Sequence, residues 1–274
     1  MPTLIIHSPT LNDVQHTLLK SIGDLQPRGN HFRIEAIELD AEKLFELRQE
    51  SELDINVLPE GFDGSNTKLL ISDMDSTLIA IECIDEIADF MNIKPQVSAI
   101  TEAAMRGELD FEGSLTQRVG LLAGLDHSAL EHVYQERLKL NPGAETLIQG
   151  LKNHSIPFAL VSGGFTYFTD RLKTRLGLDF ARANVLAETN GKLDGKVLGK
   201  IIGAQAKADF LHELCQDLKI QPNQVIAVGD GANDLLMMQA AGLSVAYHAK
   251  PAVQAKAKTV LNHRGLDAIL DFIG

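Results

Sequence analysis

Two short apolar segments that each run directly into an aspartate-rich turn constrain this chain more than any other feature. Residues 68–72 (KLLIS) lead straight into Asp73, and residues 225–229 (VIAVG) lead straight into Asp230. Continuous apolar runs of this length are typical of strands buried on both faces of a parallel sheet. Ligands of such sheets bind beyond the carboxyl ends of the strands. The two acidic turns are therefore expected at one edge of a sheet.

From residue 157 onward the chain alternates between strand-like and helix-like segments. Repeated strand–helix units predict a doubly wound parallel sheet of the α/β class. A hairpin is predicted over 183–198, because Asn190-Gly191 favours the tight turn at its tip. The other predicted strands are 157–161, 224–229, 243–246 and 258–261, and the predicted helices are 165–176, 204–219, 232–241, 251–257 and 264–273.

Two further units are predicted around this core. The pattern is helical from about 84 to 140, and this block falls between the first and second core strands, which predicts an inserted helical cap. Residues 1–66 are predicted to form a small N-terminal α+β domain with a βαβαβ order, ending in a Pro- and Gly-containing linker over 59–66. The main domain is then 67–274. The N-terminal strands are predicted at 3–8, 31–39 and 53–58, and the helices at 10–23 and 41–52.

Charge and hydropathy disfavour several classes of partner. The 274 residues carry a formal net charge of −12, which repels a nucleic-acid backbone. The same field repels a small anion, so an anion site must carry local positive charge from Lys, Arg or a bound cation. No apolar stretch approaches the roughly 20 residues needed to cross a bilayer. The two cysteines form no C-x-x-C pair, and the first residues do not resemble a secretory signal, so a cytoplasmic protein is expected.

The acidic turns suggest a metal site. Asp73 and Asp75 alternate on an extended segment, so both carboxylates can face one site. Taken alone, such a pair is more often a turn that hydrogen-bonds its own backbone. The second cluster, with Asp230, Asn233 and Asp234, changes the balance, because a simple helix cap explains one acid and not two plus an amide. Hard oxygen ligands on neighbouring strand ends favour magnesium beside a phosphate.

Two other elements fit the same site. Ser162, Gly163 and Gly164 follow a predicted strand and precede a helix, so they offer a hydroxyl and free N–H groups to an anion. Lys207, near the start of the helix 204–219, can offset phosphate charge. Each feature alone is weak, since many strand-to-helix turns contain glycine and most lysines are solvated.

In this order, the four elements resemble the haloacid dehalogenase superfamily of phosphotransferases. The likeness covers roughly residues 68–274, and within the superfamily the chain looks most like the phosphoserine phosphatases. The combination is more specific than any one motif. The matching positions are Asp73-x-Asp75-x-Thr77, Ser162, Lys207 and Gly229-Asp230-Gly231-Ala232-Asn233-Asp234.

The resemblance implies a covalent mechanism. Asp73 would attack phosphorus and become an aspartyl phosphate, while Asp75 would act first as acid and then as base. Mg²⁺ would be held by Asp73, by the main-chain carbonyl of Asp75 and by Asp230. The transferring group would be held by Ser162, Gly163, Lys207 and Asn233, with Asp234 supporting these contacts.

Substrate choice is expected to come from the cap. By resemblance, Glu82 binds the amino group of phosphoserine and Arg118 its carboxylate, for which a planar guanidinium is suited. Met105 and Phe111 match the apolar residues that close over the substrate. Singly, these residues read as a surface acid, a helical ion pair and cap packing; together they match at family spacing.

The implied function is therefore a magnesium-dependent phosphatase of serine biosynthesis that acts on phosphoserine. The alternative is a phosphotransferase that passes the phosphoryl group to another amino-acid hydroxyl, since the acceptor merely replaces water. A dehalogenase is disfavoured, and a binding protein without catalysis is disfavoured by the intact acidic motifs. The N-terminal unit looks like a shortened ACT-type regulatory domain, so amino-acid sensing, packing or homodimer formation all remain open for it.

Overall fold

The structure is a computed structural model that describes residues 3–35, 37, 39–105 and 108–273. The strands are β1 Leu4–Ile6, β2 Gln26–Arg28, β3 His31–Ile34, β4 Ile55–Val57, β5 Leu69–Ser72, β6 Phe158–Phe165, β7 Phe180–Thr189, β8 Lys192–Leu198, β9 Val225–Gly229, β10 Leu243–Tyr247 and β11 Thr259–Leu261. The helices are α1 Asp13–Lys20, α2 Ala41–Ser51, α3 Cys83–Phe90, α4 Lys94–Met105, α5 Phe111–Gly120, α6 Ser128–His132, α7 Ala144–Asn153, α8 Thr166–Leu176, α9 Ala204–Leu218, α10 Leu235–Ala240 and α11 Pro251–Gln254.

The central sheet has seven strands in the order β11-β10-β9-β5-β6-β7-β8. All neighbours are parallel except β8, which pairs antiparallel with β7 in the predicted hairpin. Alternate residues of β5 enter cores on opposite faces: Leu70 packs into one cluster, and Leu69 and Ile71 pack into the other. Burial on both faces explains the continuous apolar runs. The predicted α/β class with a doubly wound sheet is confirmed.

The helical segment between β5 and β6 leaves and rejoins the sheet through two adjacent backbone strands. Ile79 pairs with Leu140 in an antiparallel bridge, and the Asn141 N–H donates to the Leu78 carbonyl at 3.0 Å. Because β5 and β6 are neighbours in the sheet, the described residues of this segment add no strand between them. That the segment acts as a cap stays a prediction.

The N-terminal sheet has four antiparallel strands in the order β2-β3-β1-β4. The predicted βαβαβ order is therefore wrong, since β2 adds a strand and makes the order βαββαβ. The missed strand is Gln26-Pro27-Arg28, which is mostly exposed and lies at the edge of the sheet. An edge position tolerates proline and needs no apolar alternation, so the pattern gives no strand signal there.

The N-terminal sheet is docked onto the main sheet by buried polar groups. The Asp54 carboxylate accepts from the N–H groups of residues 262, 263 and 264 at 2.7–2.9 Å. The Asn56 side chain donates to the Val260 carbonyl and accepts from the Val260 N–H, at 2.9 and 2.8 Å. Ile5 joins the large core of the main domain. Asn56 thus supplies edge strand β11 with the pair of bonds that a further strand would supply.

A third contact ties β1 and β3 to the last helical turn. The carboxylate of Asp271 lies 2.9 Å from His7 Nδ1 and 3.3 Å from His31 Nδ1, and all three side chains are buried. The hydrogen bonds from these histidines hold the pKa of Asp271 below its ordinary value, although burial acts in the opposite direction. Within the described residues, no helix is both long and apolar enough to span a membrane.

Replacing Asp54 by alanine tests this docking. We expect Asp54→Ala to lower the free energy of unfolding by about 3 kcal/mol, because three main-chain N–H groups lose a buried, charged acceptor. Urea unfolding followed by circular dichroism measures the change. Asp63→Ala is the control, since Asp63 caps an exposed turn and its loss should change stability by less than about 1 kcal/mol. Equal effects of the two substitutions would show that the Asp54 contacts contribute little to docking.

Candidate active site

The predicted acidic residues meet at the carboxyl end of two neighbouring strands. Asp73 follows β5, and its N–H donates to the Val228 carbonyl of β9 at 3.0 Å. Asp230 comes directly after β9, so the parallel pairing of the two strands sets the acids side by side. One carboxylate oxygen from each of Asp73, Asp230 and Asp234 can be chosen so that all lie within 4.8 Å of one another.

Lys207 binds two of these carboxylates. Its ammonium group lies 2.7 Å from Asp73 Oδ1 and 2.7 Å from Asp234 Oδ1, and the lysine is 0% exposed. Burial alone would lower the pKa of Lys207, but the carboxylates of Asp234 and Asp73 raise it above its ordinary value. Lys207 therefore supplies the local positive charge that a site for a small anion needs in this acidic protein.

Asp75 lies in an irregular turn, and both of its carboxylate oxygens accept hydrogen bonds. Its Oδ1 accepts from the Cys83 N–H at 2.8 Å, and its Oδ2 accepts from the Ser162 hydroxyl at 3.1 Å. The next residue, Ser76, has φ of +56°, a left-handed conformation that is uncommon outside glycine. Burial raises the pKa of Asp75, although the bonds from Cys83 and Ser162 oppose the rise. A carboxyl group in this setting can hold and release a proton.

The Ser-Gly-Gly segment lies within β6 instead of after it. The predicted strand ended at residue 161, but β6 continues to Phe165, and its register with β7 shifts between Val161 and Phe165. The Gly164 N–H donates to Ser162 Oγ at 2.7 Å. A methyl group on Gly164 would lie 2.7 Å from Asp75 Oδ2, so glycine permits this close approach.

Asn233 and Asp234 build the turn after β9. Asp234 uses one carboxylate oxygen for Lys207 and the other for the Gly231 N–H, at 3.0 Å. Asn233 lies over Gly231, where an added methyl group would meet its Oδ1 at 2.3 Å. Both oxygens of Asp234 are therefore engaged, which leaves Asp73 and Asp230 better placed to bind a cation.

Residues of the helical segment approach the site to different degrees. Phe111 lies against Gly163, because a methyl group there would be 2.7 Å from its ring. The Ser76 hydroxyl donates to Glu82 at 2.7 Å. Burial of the carboxyl group and the charge of Asp75 raise the pKa of Glu82 to about 7. Glu82 is therefore an acid whose charge changes near neutral pH.

The substrate-binding roles of Arg118 and Met105 stay predictions. Arg118 donates weakly to the carbonyl of Ser114 in its own helix, at 3.4 Å. Burial lowers the pKa of its guanidinium, while the charges of Asp85 and Glu82 act in the opposite direction. Met105 ends α4, but its side chain lies outside the described residues.

Sequence reasoning did not assign roles to two residues that shape the site. Thr77 donates to Asp230 Oδ1 at 2.9 Å and so joins the two acidic turns. The Asn141 side chain donates to the carbonyls of Thr77 and Ile79, at 2.8 and 3.2 Å. Thr77 stood in the first motif and could have been found there. Asn141 precedes Pro142 and reads only as a turn, so its sequence context hides it.

The charges of the site fit a divalent cation. Asp73, Asp75, Asp230 and Asp234 place four carboxyl groups around Lys207, and burial together with the charge of Asp234 raises the pKa of Asp230 to about 6. Burial and the neighbouring acids also raise the pKa of Asp73, in spite of Lys207. A cation relieves this repulsion, and oxygen ligands suit a hard ion. The acidic cluster can therefore hold a divalent metal ion.

Comparison with known proteins agrees with this geometry. The sequence model of the haloacid dehalogenase-like hydrolases matches residues 67–242. A phosphoserine phosphatase of Polaromonas is 51% identical over 224 residues, which cover 80% of this chain and 95% of the relative. The crystal structure of a probable phosphoserine phosphatase from Vibrio cholerae, in unliganded form, has a TM-score of 0.86 at 39% identity, covering 99% of this chain and 86% of that one.

A second similar structure is described as a phospho-aspartyl intermediate analogue of phosphoserine phosphatase. It has a TM-score of 0.71 at 41% identity and covers 76% of this chain and 99% of its own.

Replacing Asp230 by asparagine tests the metal site without an activity assay. We expect Asp230→Asn to weaken binding of Mg²⁺ by at least about tenfold. Replacing a residue that only supports a metal ligand already lowers metal affinity by about that factor, and a direct ligand should matter at least as much. The metal-free variant should be no less stable than wild type, since one repelling charge is removed. Calorimetric titration and the rise in melting temperature with added magnesium measure both. Asp209→Asn, a matched change on the outer side of α9, should bind magnesium like wild type; unchanged binding by Asp230→Asn would place the cation elsewhere.

Proposed function

The chain belongs to the haloacid dehalogenase-like hydrolase family, and we propose that it is a magnesium-dependent phosphatase that converts L-phosphoserine to L-serine and phosphate through a phosphorylated Asp73. The superfamily expected from the four motifs is confirmed. The observation that carries the proposal is the position of Asp73, held 2.7 Å from buried Lys207 and beside Asp75. The relatives named phosphoserine phosphatase support the substrate, and the phospho-aspartyl analogue supports the covalent route.

Asp73 is the nucleophile in this proposal. An oxygen of its carboxylate attacks phosphorus, the bond from phosphorus to the seryl oxygen breaks, and an aspartyl phosphate forms. Lys207 offsets charge on the transferring group, which is the main quantity that the site must stabilise. A water molecule then attacks phosphorus, and the bond to Asp73 breaks to return the free carboxylate.

Asp75 moves the protons. Its carboxyl group, whose pKa burial raises, donates a proton to the departing seryl oxygen. The resulting carboxylate then accepts a proton from the attacking water, so one residue serves both half-reactions. The bonds from Ser162 and Cys83 hold the carboxyl group in place for both transfers.

Mg²⁺ fits the acidic cluster described above. The carboxylates of Asp73 and Asp230 and the main-chain carbonyl of Asp75 would hold it, and Thr77 orients the Asp230 carboxylate. When bound, the ion neutralises carboxylate and phosphate charge and helps to orient the phosphoryl group.

Recognition of the phosphate and of the amino-acid part is divided between two sets of residues. Ser162, Gly163, Lys207 and Asn233 surround the proposed phosphoryl position. Glu82 binds the ammonium group, Arg118 binds the carboxylate, and Phe111 with Met105 covers the apolar part. The charges of Glu82 and Asp75 act on the Arg118 guanidinium, which supports its placement beside the substrate.

The remaining assignments follow from the same reading. Residues 84–140 act as the cap over the substrate, and 67–274 form the phosphatase domain. Residues 1–66 form the ACT-like unit, with a packing or homodimer role. The site suits a small phosphomonoester, and we place the enzyme in the cytoplasm, where serine biosynthesis occurs.

Turnover of a panel of phosphomonoesters tests the function. We expect phosphoserine to be hydrolysed only with magnesium present, and Asp73→Asn to lose several orders of magnitude in kcat, because its neutral amide is a poor nucleophile. Beryllofluoride should bind the wild type and not the variant. Phosphoserine turnover by Asp73→Asn near the wild-type rate would exclude the covalent route, and phosphoryl transfer to homoserine added to the assay would favour the transferase alternative.

The pKa of Glu82 predicts a pH dependence of recognition. Because its pKa is raised to about 7, Glu82 is neutral below that pH and loses its attraction for the ammonium group. The ratio of KM for phosphoserine to KM for p-nitrophenyl phosphate should therefore rise as pH falls from 8 to about 6. The second substrate has no ammonium group, and because the phosphates of both substrates titrate, the ratio largely removes that contribution. Glu82→Gln should flatten the ratio. A ratio that changes equally in Glu82→Gln would assign the pH dependence to another group.

A further inference from the structure

Asn184 joins two segments of the site through both ends of its side-chain amide. It lies on β7 and is 1% exposed. Its Nδ2 donates to the Gly163 carbonyl at 2.8 Å, and its Oδ1 accepts from the Ile202 N–H at 2.8 Å. The first segment contains Ser162, and the second leads into the helix that carries Lys207. A fully buried amide with both bonds satisfied holds its partners in one arrangement.

The register of β6 against β7 explains why a side chain is needed at this point. Val161 pairs with Arg182 and Phe165 pairs with Asn184, so β6 advances four residues while β7 advances two. The residues between are released from regular pairing, as in a β-bulge. Asn184 supplies the Gly163 carbonyl with a hydrogen bond inside the irregular region, so the bulge keeps a defined shape.

The peptide unit between Gly163 and Gly164 is held at both ends. Asn184 binds its carbonyl, and its N–H donates to Ser162 Oγ at 2.7 Å. Because the peptide unit is planar, the two bonds together fix its orientation. The Ser162 oxygen accepts one bond and its hydrogen is directed to Asp75, at 3.1 Å. Asn184 thus orients the loop proposed to bind phosphate without facing the substrate.

The other end of the amide positions α9. Ile202 precedes Gly203, whose carbonyl accepts the Lys207 N–H at 3.0 Å in the first turn of the helix. The ring of Phe111 lies against both connected segments, since methyl groups on Gly163 and Gly203 would be 2.7 and 3.4 Å from it. Asn184 therefore sets the spacing between the Ser-Gly-Gly loop, the start of the lysine helix and the surface under Phe111.

We propose that Asn184 is a positioning residue for phosphoryl binding, acting through the Gly163–Gly164 peptide and the start of α9. The proposal rests on the proposed function, because it assumes that this loop and Lys207 hold the phosphoryl group. It gives Asn184 a role in affinity for every phosphomonoester. Arg118, by contrast, would affect only substrates with a carboxylate.

Two substitutions separate this role from a general effect on stability. Asn184→Ala removes both bonds, and Asn184→Leu removes them while filling a similar volume, so that folding does not depend on a cavity. Asn56→Ala is the matched control, because Asn56 is equally buried and also binds backbone through both amide ends, but it lies at β11. The measurements, in magnesium buffer, are inorganic phosphate affinity, KM and kcat for phosphoserine and p-nitrophenyl phosphate, and melting temperature.

In both Asn184 variants we expect inorganic phosphate to bind about tenfold more weakly, as for the loss of one well-formed hydrogen bond. KM for the two esters should rise by the same factor as each other, whereas Arg118→Ala should raise KM for phosphoserine alone. Asn56→Ala should lower the melting temperature and leave phosphate affinity unchanged. Wild-type phosphate affinity in a folded Asn184 variant would overturn the proposal, as would a loss confined to melting temperature. If wild type failed to hydrolyse phosphoserine, the proposed function would fail, but phosphate affinity would still decide the role of Asn184.

Discussion

The buried contact of Lys207 with Asp73 and Asp234 is the interaction on which the site depends. An ammonium group removed from water is strongly destabilised unless it is paired, and here two carboxylates lie at 2.7 Å. Its partners come from the end of β5 and from the turn after β9, while Lys207 itself comes from α9. The three elements can meet only because β5 and β9 are parallel neighbours in the sheet. Sheet topology and charge pairing therefore require each other.

Most of the main sheet could be predicted from sequence because its inner strands β5, β9 and β10 are buried on both faces. Runs such as 68–72 and 225–229 carry no polar alternation, and the glycine-containing turn of the hairpin is equally distinctive. The edge strand β2 lacks this signal, because it is short, mostly exposed and contains Pro27. The extension of β6 to Phe165 was also hidden, because Ser-Gly-Gly reads as a strand-to-helix turn, whereas the structure keeps it in the strand as a bulge. Position in the sheet, not propensity, decided both cases.

The residues of the site that could be predicted are those whose side-chain type itself indicates a chemical role. Carboxylates, a lysine and a serine after strands announce an anion and metal site, and the structure places Asp73, Asp75, Ser162, Lys207 and Asp230 together. Amides that bind backbone carry no such mark. Asn141 lies in a turn and Asn184 in a strand, and nothing in the sequence around them indicates a role. Their roles become visible only when the structure shows which carbonyls they bind. Arg118 shows the converse, since its motif position does not reveal its contact with Ser114.

The N-terminal sheet bears on the site through the edge of the main sheet. Strand β11 lies two strands from β9, which carries Asp230 at its end, and β11 would expose unpaired backbone groups without Asn56 and Asp54. The proposed catalytic residues all lie beyond residue 66. The N-terminal sheet therefore covers an edge of the main sheet and adds Ile5 to its core, at a distance of two strands from the strand that ends in Asp230.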